Sequence, residues 1–151
     1  MAPNRKHTAG QTILRAAFVV YALWMLWLLF GQRWGTEVYT QQLAESMNLK
    51  PFATIKRYIA LLGSSKPTLF LHAVINLVGN VVMFVPLGFF LPGIFPGMRR
   101  FFRALFLSLG LILTVELVQY FTMLGTCDID DLILNMVGIC IGYPFGKIKK
   151  Y

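Results

Sequence analysis

The sequence predicts an all-α membrane protein, a bundle of four transmembrane helices with an amphipathic interfacial helix between the first and second spans. Of the 151 residues, 57% are hydrophobic and only 13% are charged, whereas soluble domains are about a quarter charged. The apolar residues form several long runs, as a hydrocarbon core about 30 Å thick requires. The bases flank these runs. We therefore expect one membrane domain over residues 1–151.

The four longest apolar runs are the predicted spans. They cover residues 13–30, 69–91, 101–124 and 132–145. The fourth is short and would have to tilt little or thin the bilayer. The first run could be a signal peptide, but no small-residue cleavage site follows it, and Trp27 and Trp34 form an aromatic border. We interpret it as a retained span that follows a cytoplasmic tail, residues 1–12.

The segment between the first two spans, residues 35–67, is long and polar at its start. After Pro51, which suits a first helical turn, apolar residues recur at helical spacing: Phe52, Ile55, Ile59 and Leu62. Lys56 and Arg57 occupy other positions. This pattern predicts a helix too short to span, lying in the membrane interface. A loop helix packed on the bundle and a partly re-entrant segment remain alternatives.

Basic residues set the predicted orientation. Nine of the 14 cluster before the first span, between the second and third, and after the fourth: Arg5, Lys6, Arg15, Arg99, Arg100, Arg103, Lys147, Lys149 and Lys150. The other five belong to the segment between the first and second spans, where an interfacial helix on the outer leaflet could hold them: Arg33, Lys50, Lys56, Arg57 and Lys66. Since cytoplasmic loops carry the excess of Lys and Arg, we expect both termini in the cytoplasm and a multi-pass protein of the cytoplasmic membrane. Contact with anionic lipid headgroups accounts for the net charge of +8. The sequence has no basic patch with interleaved aromatic residues, so it does not predict nucleic-acid binding.

The acidic residues are concentrated in one region. Four of the six fall within 16 positions: Glu116, Asp128, Asp130 and Asp131. A carboxylate within hydrocarbon costs about 2.5–3.5 kcal/mol on insertion, so such acids are candidate functional residues. Three spans bring polar side chains to this level. We predict a polar pocket in the outer half of the bundle, lined by His72, Asn76, Asn80, Glu116, Gln119, Asp128, Asp130, Asp131 and Asn135.

Three chemical roles fit this pocket. Carboxylate and amide oxygens suit a divalent cation, with Glu116, Asp128 and Asp131 as candidate ligands. Two carboxylates in different environments can act as acid and base, which makes Glu116 and Asp131, with Asp128, candidate catalytic residues. The structural alternative is hydrogen bonding between spans by Asn and Gln, with Asp128 or Asp130 capping the fourth helix.

Three further features have mainly structural interpretations. Gly138, Gly142 and Gly146 form a small-residue face for close helix packing, within the chain or in a homo-oligomer. Pro86 is expected to break and kink the second span. Cys140 lies nine residues beyond Asp131, roughly 13 Å deeper in the fourth span, whereas Cys127 lies in the loop above it, so we expect no disulfide between them within one chain.

Several short motifs together resemble the VanZ-like family. They are residues 48–52 (NLKPF), Thr54, Ile55, Asn76, Gly79, Asn80, Phe84, 86–88 (PLG), 116–119 (ELVQ), 128–135 (DIDDLILN) and Gly138. The resemblance covers residues 48–146. It departs at residues 124–128 (LGTCD), where the family often has an arginine before the aspartates.

The resemblance implies a small bacterial membrane protein, and some members of the family confer low-level resistance to teicoplanin and related lipid-bearing glycopeptides. With the predicted pocket, it suggests a protein that binds or modifies an envelope lipid, a lipid-linked cell-wall precursor or a lipoglycopeptide. An intramembrane enzyme acting on a lipid headgroup through Glu116 and Asp131 is the alternative. A transporter is disfavoured, because the inner half of the bundle has no matching polar path.

Overall fold

The computed structural model describes residues 5–31, 47–122, 124 and 127–148. Within these ranges the chain forms five α-helices, two short strands and a 3₁₀ turn. In chain order they are α1 (Arg5–Phe30), β1 (Met47–Asn48), α2 (Ala53–Leu61), α3 (Pro67–Ile94), the 3₁₀ turn (Pro96–Arg99), α4 (Phe101–Phe121), β2 (Cys127–Asp128) and α5 (Ile129–Ile148). The polar start of the segment between the first two spans lies outside the described residues, as do Lys149 and Lys150.

Four helices are long and apolar enough to cross a membrane: Ala9–Phe30, Pro67–Ile94, Phe101–Phe121 and Ile129–Ile148. The predicted all-α fold with four spans is therefore confirmed. The prediction that the fourth span is short is wrong, because α5 has 20 residues. It begins earlier than predicted, since the Asp128 carboxylate accepts the backbone N–H of Asp130 at 2.8 Å and caps the first turn. It also continues through Pro144.

The second span is not interrupted at its internal prolines. α3 continues as one helix through Pro86 and Pro92, so the break predicted at Pro86 is wrong. Neighbouring residues are well packed, with Phe84 and Gly88 buried on either side. The Tyr21 hydroxyl of α1 donates a hydrogen bond to the Met83 carbonyl at 2.7 Å. This packing on α1 and α5 holds the helix around the proline.

The glycine face of α5 packs against α3 within the chain. A Cβ atom on Gly138, Gly142 or Gly146 would overlap the carbonyl oxygens of Val81, Val85 and Phe89, respectively. Residue numbers increase in the same direction along both helices in these contacts, so α3 and α5 are parallel, as the predicted topology requires. Of the two uses that the sequence left open for this glycine face, the structure shows packing within the chain.

The bundle has two chemically different ends. We call the end that holds the start of α5 and the end of α4 the aspartate end, and the end that holds the 3₁₀ turn the arginine end. α1 runs from the arginine end, where Leu14 contacts Gly93, to the aspartate end, where the Leu29 carbonyl accepts a hydrogen bond from Gln119. Between the two ends lies an apolar core of Met25, Phe84, Ile112 and Ile139.

Candidate functional site

Asp128 lies where a short parallel strand pair meets the last span. β1 pairs with β2, which places Asn48 opposite Asp128. Asp128 is only 8% exposed. Its Oδ2 accepts the Thr54 hydroxyl at 2.6 Å, and its Oδ1 accepts the Asp130 backbone N–H at 2.8 Å and the Asn48 side-chain amide at 3.3 Å. Both oxygens of Asp128 are therefore engaged by the protein itself.

Asp130 is fully buried and holds the first turn of α2. Its Oδ1 accepts the Phe52 backbone N–H at 2.5 Å, and its Oδ2 accepts that of Ile55 at 3.0 Å. A carboxylate is favourable there, because backbone N–H groups at a helix amino end lack intrahelical acceptors and carry partial positive charge. The sequence allowed Asp130 to cap the fourth helix, but it caps α2 instead. We call Asn48, Thr54, Asp128 and Asp130 the aspartate clamp.

Asp131 points to a different neighbour. Its Oδ1 accepts a hydrogen bond from the Asn80 side-chain amide of α3 at 2.6 Å. Both residues are half-buried. Asn80 therefore orients the carboxylate of a half-buried residue at the aspartate end, two turns before Gly138, the first glycine of the face that joins the same two helices.

Glu116 is buried on α4, with 7% of its surface exposed and its Oε2 atom inaccessible. Its position relative to the loop follows from the Cys127 thiol of β2. Burial raises the pKa of Cys127, and the nearby negative charges of Glu116 and Asp128 raise it further. Glu116 thus lies close enough to β2 for its charge to act on the aspartate end.

The remaining predicted pocket residues serve several contacts. Gln119 donates through Nε2 to the Leu29 carbonyl at 2.8 Å, which satisfies the last turn of α1. Asn76 donates to the His72 carbonyl of its own helix at 2.8 Å. His72 is exposed, and its ring centroid lies 5.6 Å from that of Tyr58 on α2. Asn76 therefore bonds its own helix, α3, and His72 contacts α2. Neither contact involves the Asn80–Asp131 pair.

Asn135 lies one helical turn beyond Asp131 and is 4% exposed. Among the described residues its Oδ1 atom has no hydrogen-bond partner. We call Asn80, Glu116, Asp131 and Asn135 the polar site. They are the predicted pocket residues that remain when Asp128 and Asp130 of the clamp, Gln119, Asn76 and His72 are set aside. Within the described part of the chain, no three His, Cys, Asp or Glu side chains gather in a way that could hold a metal ion, so Glu116, Asp128 and Asp131 form no such group.

Comparison with known sequences assigns the chain to a family. The VanZ/LLP1 family profile matches residues 16–150, which include the clamp, the polar site and all of the spans except the start of the first. This chain belongs to the VanZ/LLP1 family. It is 26% identical over 144 residues to Protein VanZ of Enterococcus faecium, and the match covers 94% of this chain and 79% of that protein. No solved structure matches the chain.

Sequence reasoning missed two polar residues of this VanZ-family chain as contributors to the site. Asn48 and Thr54 connect β1 and α2 to Asp128, yet they were noted only as parts of a family-like motif. The available signal was their position: Asn48 lies before Pro51, and Thr54 lies after it in the first turn of the amphipathic helix. Their partner lies about 80 positions away, and spacing alone does not identify it.

Proposed function

We propose that this protein lowers the susceptibility of a bacterial cell to teicoplanin-type glycopeptides, and that it does so by binding the headgroup of an envelope lipid or lipid-linked cell-wall precursor at the Asn80–Asp131 pair. The observation that carries the proposal is the difference in exposure among the three aspartates, since Asp128 and Asp130 are buried and Asp131 is half-buried. The protein itself engages the carboxylates of Asp128 and Asp130. Asp131 is oriented by Asn80 at 2.6 Å and stays partly accessible. The likeness to Protein VanZ supports the link to glycopeptides.

The location of this pair on the outer side of the cytoplasmic membrane is part of the proposal. The bases Arg99, Arg100 and Arg103 gather at the arginine end, and such residues favour the cytoplasmic side. The aspartate end then faces outward, where headgroups of cell-wall precursors and glycopeptides meet. At the same end, Phe52, which precedes α2, and Ile59 of α2 are 51% and 56% exposed and suit contact with lipid in the membrane interface.

The chemistry of the pair suits a headgroup that donates hydrogen bonds. A half-buried carboxylate fixed by a neighbouring amide accepts hydroxyl or ammonium groups strongly, because charge-assisted hydrogen bonds are about twice as strong as neutral ones. Low local dielectric strengthens them further. The asparagine and carboxylate come from different helices, so the bound headgroup would also link α3 to α5.

A catalytic role is the second candidate, and one observation favours it. Glu116 is buried, whereas Asp131 is partly exposed. Two carboxylates in such different environments can divide into a proton donor and an ionised partner. In this version, Glu116 and Asp131 act as acid and base on the bound headgroup.

Susceptibility of cells that express single variants tests the proposal. Asp131→Asn keeps the shape and removes the charge. We expect it to weaken headgroup binding by about tenfold or more, since a hydrogen bond to a charged group contributes about 1.5–3 kcal/mol, and to abolish protection against teicoplanin. Thr114→Ala is the matched control, because Thr114 is exposed and its hydroxyl donates to the Gly110 carbonyl of its own helix. Full protection by Asp131→Asn, at wild-type membrane levels, refutes the proposal.

Lipid analysis of the same strains separates binding from catalysis. If the protein only binds, lipid species stay the same with and without it while susceptibility changes. If it is an enzyme, one lipid species changes on expression, and Glu116→Gln, which keeps the shape of Glu116, abolishes that change. General acid–base catalysis contributes about 10²–10⁴-fold, so the loss would be nearly complete.

A further inference from the structure

A layer of polar side chains lies directly above the apolar core, on the side of the aspartate end. In α3, α4 and α5, a core residue and a residue of the polar site are four positions apart, and the polar residue is the one nearer that end. The pairs are Phe84 with Asn80, Ile112 with Glu116, and Ile139 with Asn135. Residues four positions apart lie on the same helix face. The polar site therefore turns toward the bundle interior and rests on the core.

Asn135 is the member of this layer that points to a ligand. It is 4% exposed, and within the described part of the chain its Oδ1 atom has no hydrogen-bond partner. It lies one turn below Asp131, whose carboxylate Asn80 orients at 2.6 Å, and one turn above Ile139 of the core. Buried polar atoms are almost always hydrogen-bonded, and an unsatisfied acceptor is costly. The position therefore suits a hydrogen-bond donor that enters from the aspartate end.

The polar site combines hydrogen-bond acceptors with negative charge. Besides the amide oxygen of Asn135, it contributes the carboxylates of Glu116 and Asp131, and each carboxylate can accept several hydrogen bonds. The sequence has no Lys or Arg in the halves of the four spans nearer the aspartate end, which lie within residues 16–31, 67–94 and 104–146. A ligand group that matches this site therefore donates hydrogen bonds and carries a positive charge.

We propose that the polar site binds the primary ammonium group of a lipid headgroup, and that the Asn135 amide oxygen accepts one of its hydrogen bonds. The inference rests on the proposed function and names its ligand more closely, as a headgroup with a primary amine. An ammonium group has three donors, no acceptor and a positive charge. It can therefore bond Asn135 together with the carboxylates of Glu116 and Asp131 while it offsets their charge. Asp131 is half-buried and lies at the entrance.

Other groups match these acceptors less well. A hydroxyl group supplies one donor and no positive charge. A quaternary ammonium supplies the charge but no donor, so the Asn135 oxygen would stay unsatisfied. A divalent cation prefers about six or more oxygen ligands, and within the described residues no three His, Cys, Asp or Glu side chains gather in a way that could hold one.

Native mass spectrometry of the full chain tests the proposal with three lipids that carry the same acyl chains. Phosphatidylethanolamine has a primary ammonium, phosphatidylcholine a quaternary one, and phosphatidylglycerol only hydroxyls. We expect phosphatidylethanolamine to bind about tenfold more tightly than the other two, as one hydrogen bond to a charged group would give. Equal binding of the three lipids overturns the proposal, and it is the result expected if a buried water bonds Asn135. Displacement of the lipid by free ethanolamine at equal concentration overturns the assignment to a lipid.

Asn135→Leu keeps the approximate size of the side chain and removes the acceptor. We expect it to lower the affinity for phosphatidylethanolamine about tenfold and to leave that for phosphatidylcholine unchanged. Asn135→Asp keeps an acceptor and should keep the preference. Asn76→Leu is the matched control, because Asn76 bonds the His72 carbonyl of its own helix. An undiminished preference in folded Asn135→Leu overturns the role of Asn135, and the wild-type lipid series remains decisive if that variant does not fold.

The two proposals fail separately. If Asp131→Asn abolishes protection against teicoplanin but the three lipids bind equally, the headgroup site stands and its ligand is not an ammonium. If the preference for phosphatidylethanolamine depends on Asn135 but Asp131→Asn still protects fully, the ammonium site stands and protection does not act through Asp131.

Discussion

The Asp130 carboxylate accepts the backbone N–H of Ile55 at 3.0 Å, although the two residues lie 75 positions apart in the chain. This contact joins the amino end of the short helix α2 to the first turn of the last span. Thr54, the residue before Ile55, also donates to Asp128. The clamp therefore fixes where α2 lies on the bundle, and α2 in turn covers the aspartate end.

Asp130→Ala should release α2. The change leaves the amides of Phe52 and Ile55 without their acceptor, and loss of a helix cap costs about 0.5–2 kcal/mol. Hydrogen exchange in lipid nanodiscs measures this directly, and residues 53–61 should exchange faster in the variant. Asp131→Ala is the control, because Asp131 bonds α3 and leaves this cap intact. Unchanged protection of α2 in Asp130→Ala contradicts the assigned role.

Asn80 and Asp131 should be energetically coupled. Hydrogen bonds between spans contribute about 0.6 kcal/mol on average and at most about 1.7, and the short distance of 2.6 Å favours the upper part of this range. A double-mutant cycle with Asn80→Ala and Asp131→Ala, followed by unfolding in mixed micelles, measures the coupling. The cycle of Asn76→Ala with Asp131→Ala is the control and should be additive, since Asn76 bonds its own helix. Additivity in both cycles would show that the Asn80–Asp131 hydrogen bond contributes no measurable coupling energy.

The spans could be predicted from the sequence because their signal is local. Long apolar runs and a glycine repeated every four residues are visible in a short window. The runs form α1, α3, α4 and α5, and the glycine repeat forms the face of α5 that packs against α3. The start of α5 was placed too late, because hydropathy alone does not show that Asp130 and Asp131 belong to the first helical turn. Their charges favour that position once Asp128 caps it.

The partners of the polar residues could not be predicted in the same way. Asn76 and Asn80 share a helix face, yet Asn76 bonds the His72 carbonyl and Asn80 bonds Asp131. Gln119 shares a face with Glu116, yet it bonds the Leu29 carbonyl. Helical spacing fixes which face a side chain occupies. Which acceptor it meets depends on residues 50 to 90 positions away.

Gly142→Ala should destabilise the bundle strongly. The new methyl group would overlap the Val85 carbonyl oxygen, so α3 and α5 must separate, and overpacking typically costs about 1–3 kcal/mol. Gly110→Ala is the matched control, because nothing lies within 4 Å of a Cβ there. It should be neutral or stabilising by up to about 1 kcal/mol, the usual difference between Gly and Ala in a helix. Unfolding in mixed micelles measures both, and equal stability of the two variants would refute the close packing.

The reactivity of Cys127 should report the charge of Glu116. The thiolate is the nucleophile, and burial, then the negative charges of Glu116 and Asp128, raise the pKa of Cys127. Alkylation should therefore require a higher pH than for an ordinary thiol. Glu116→Gln removes one charge that disfavours the thiolate, so the pKa falls and the rate profile moves to lower pH. Iodoacetamide rates between about pH 7 and 10 in a Cys140→Ser background measure the shift. Thr114→Ala, which changes no charge on α4, should leave the profile in place, and the same profile in Glu116→Gln would mean that Glu116 does not act on β2.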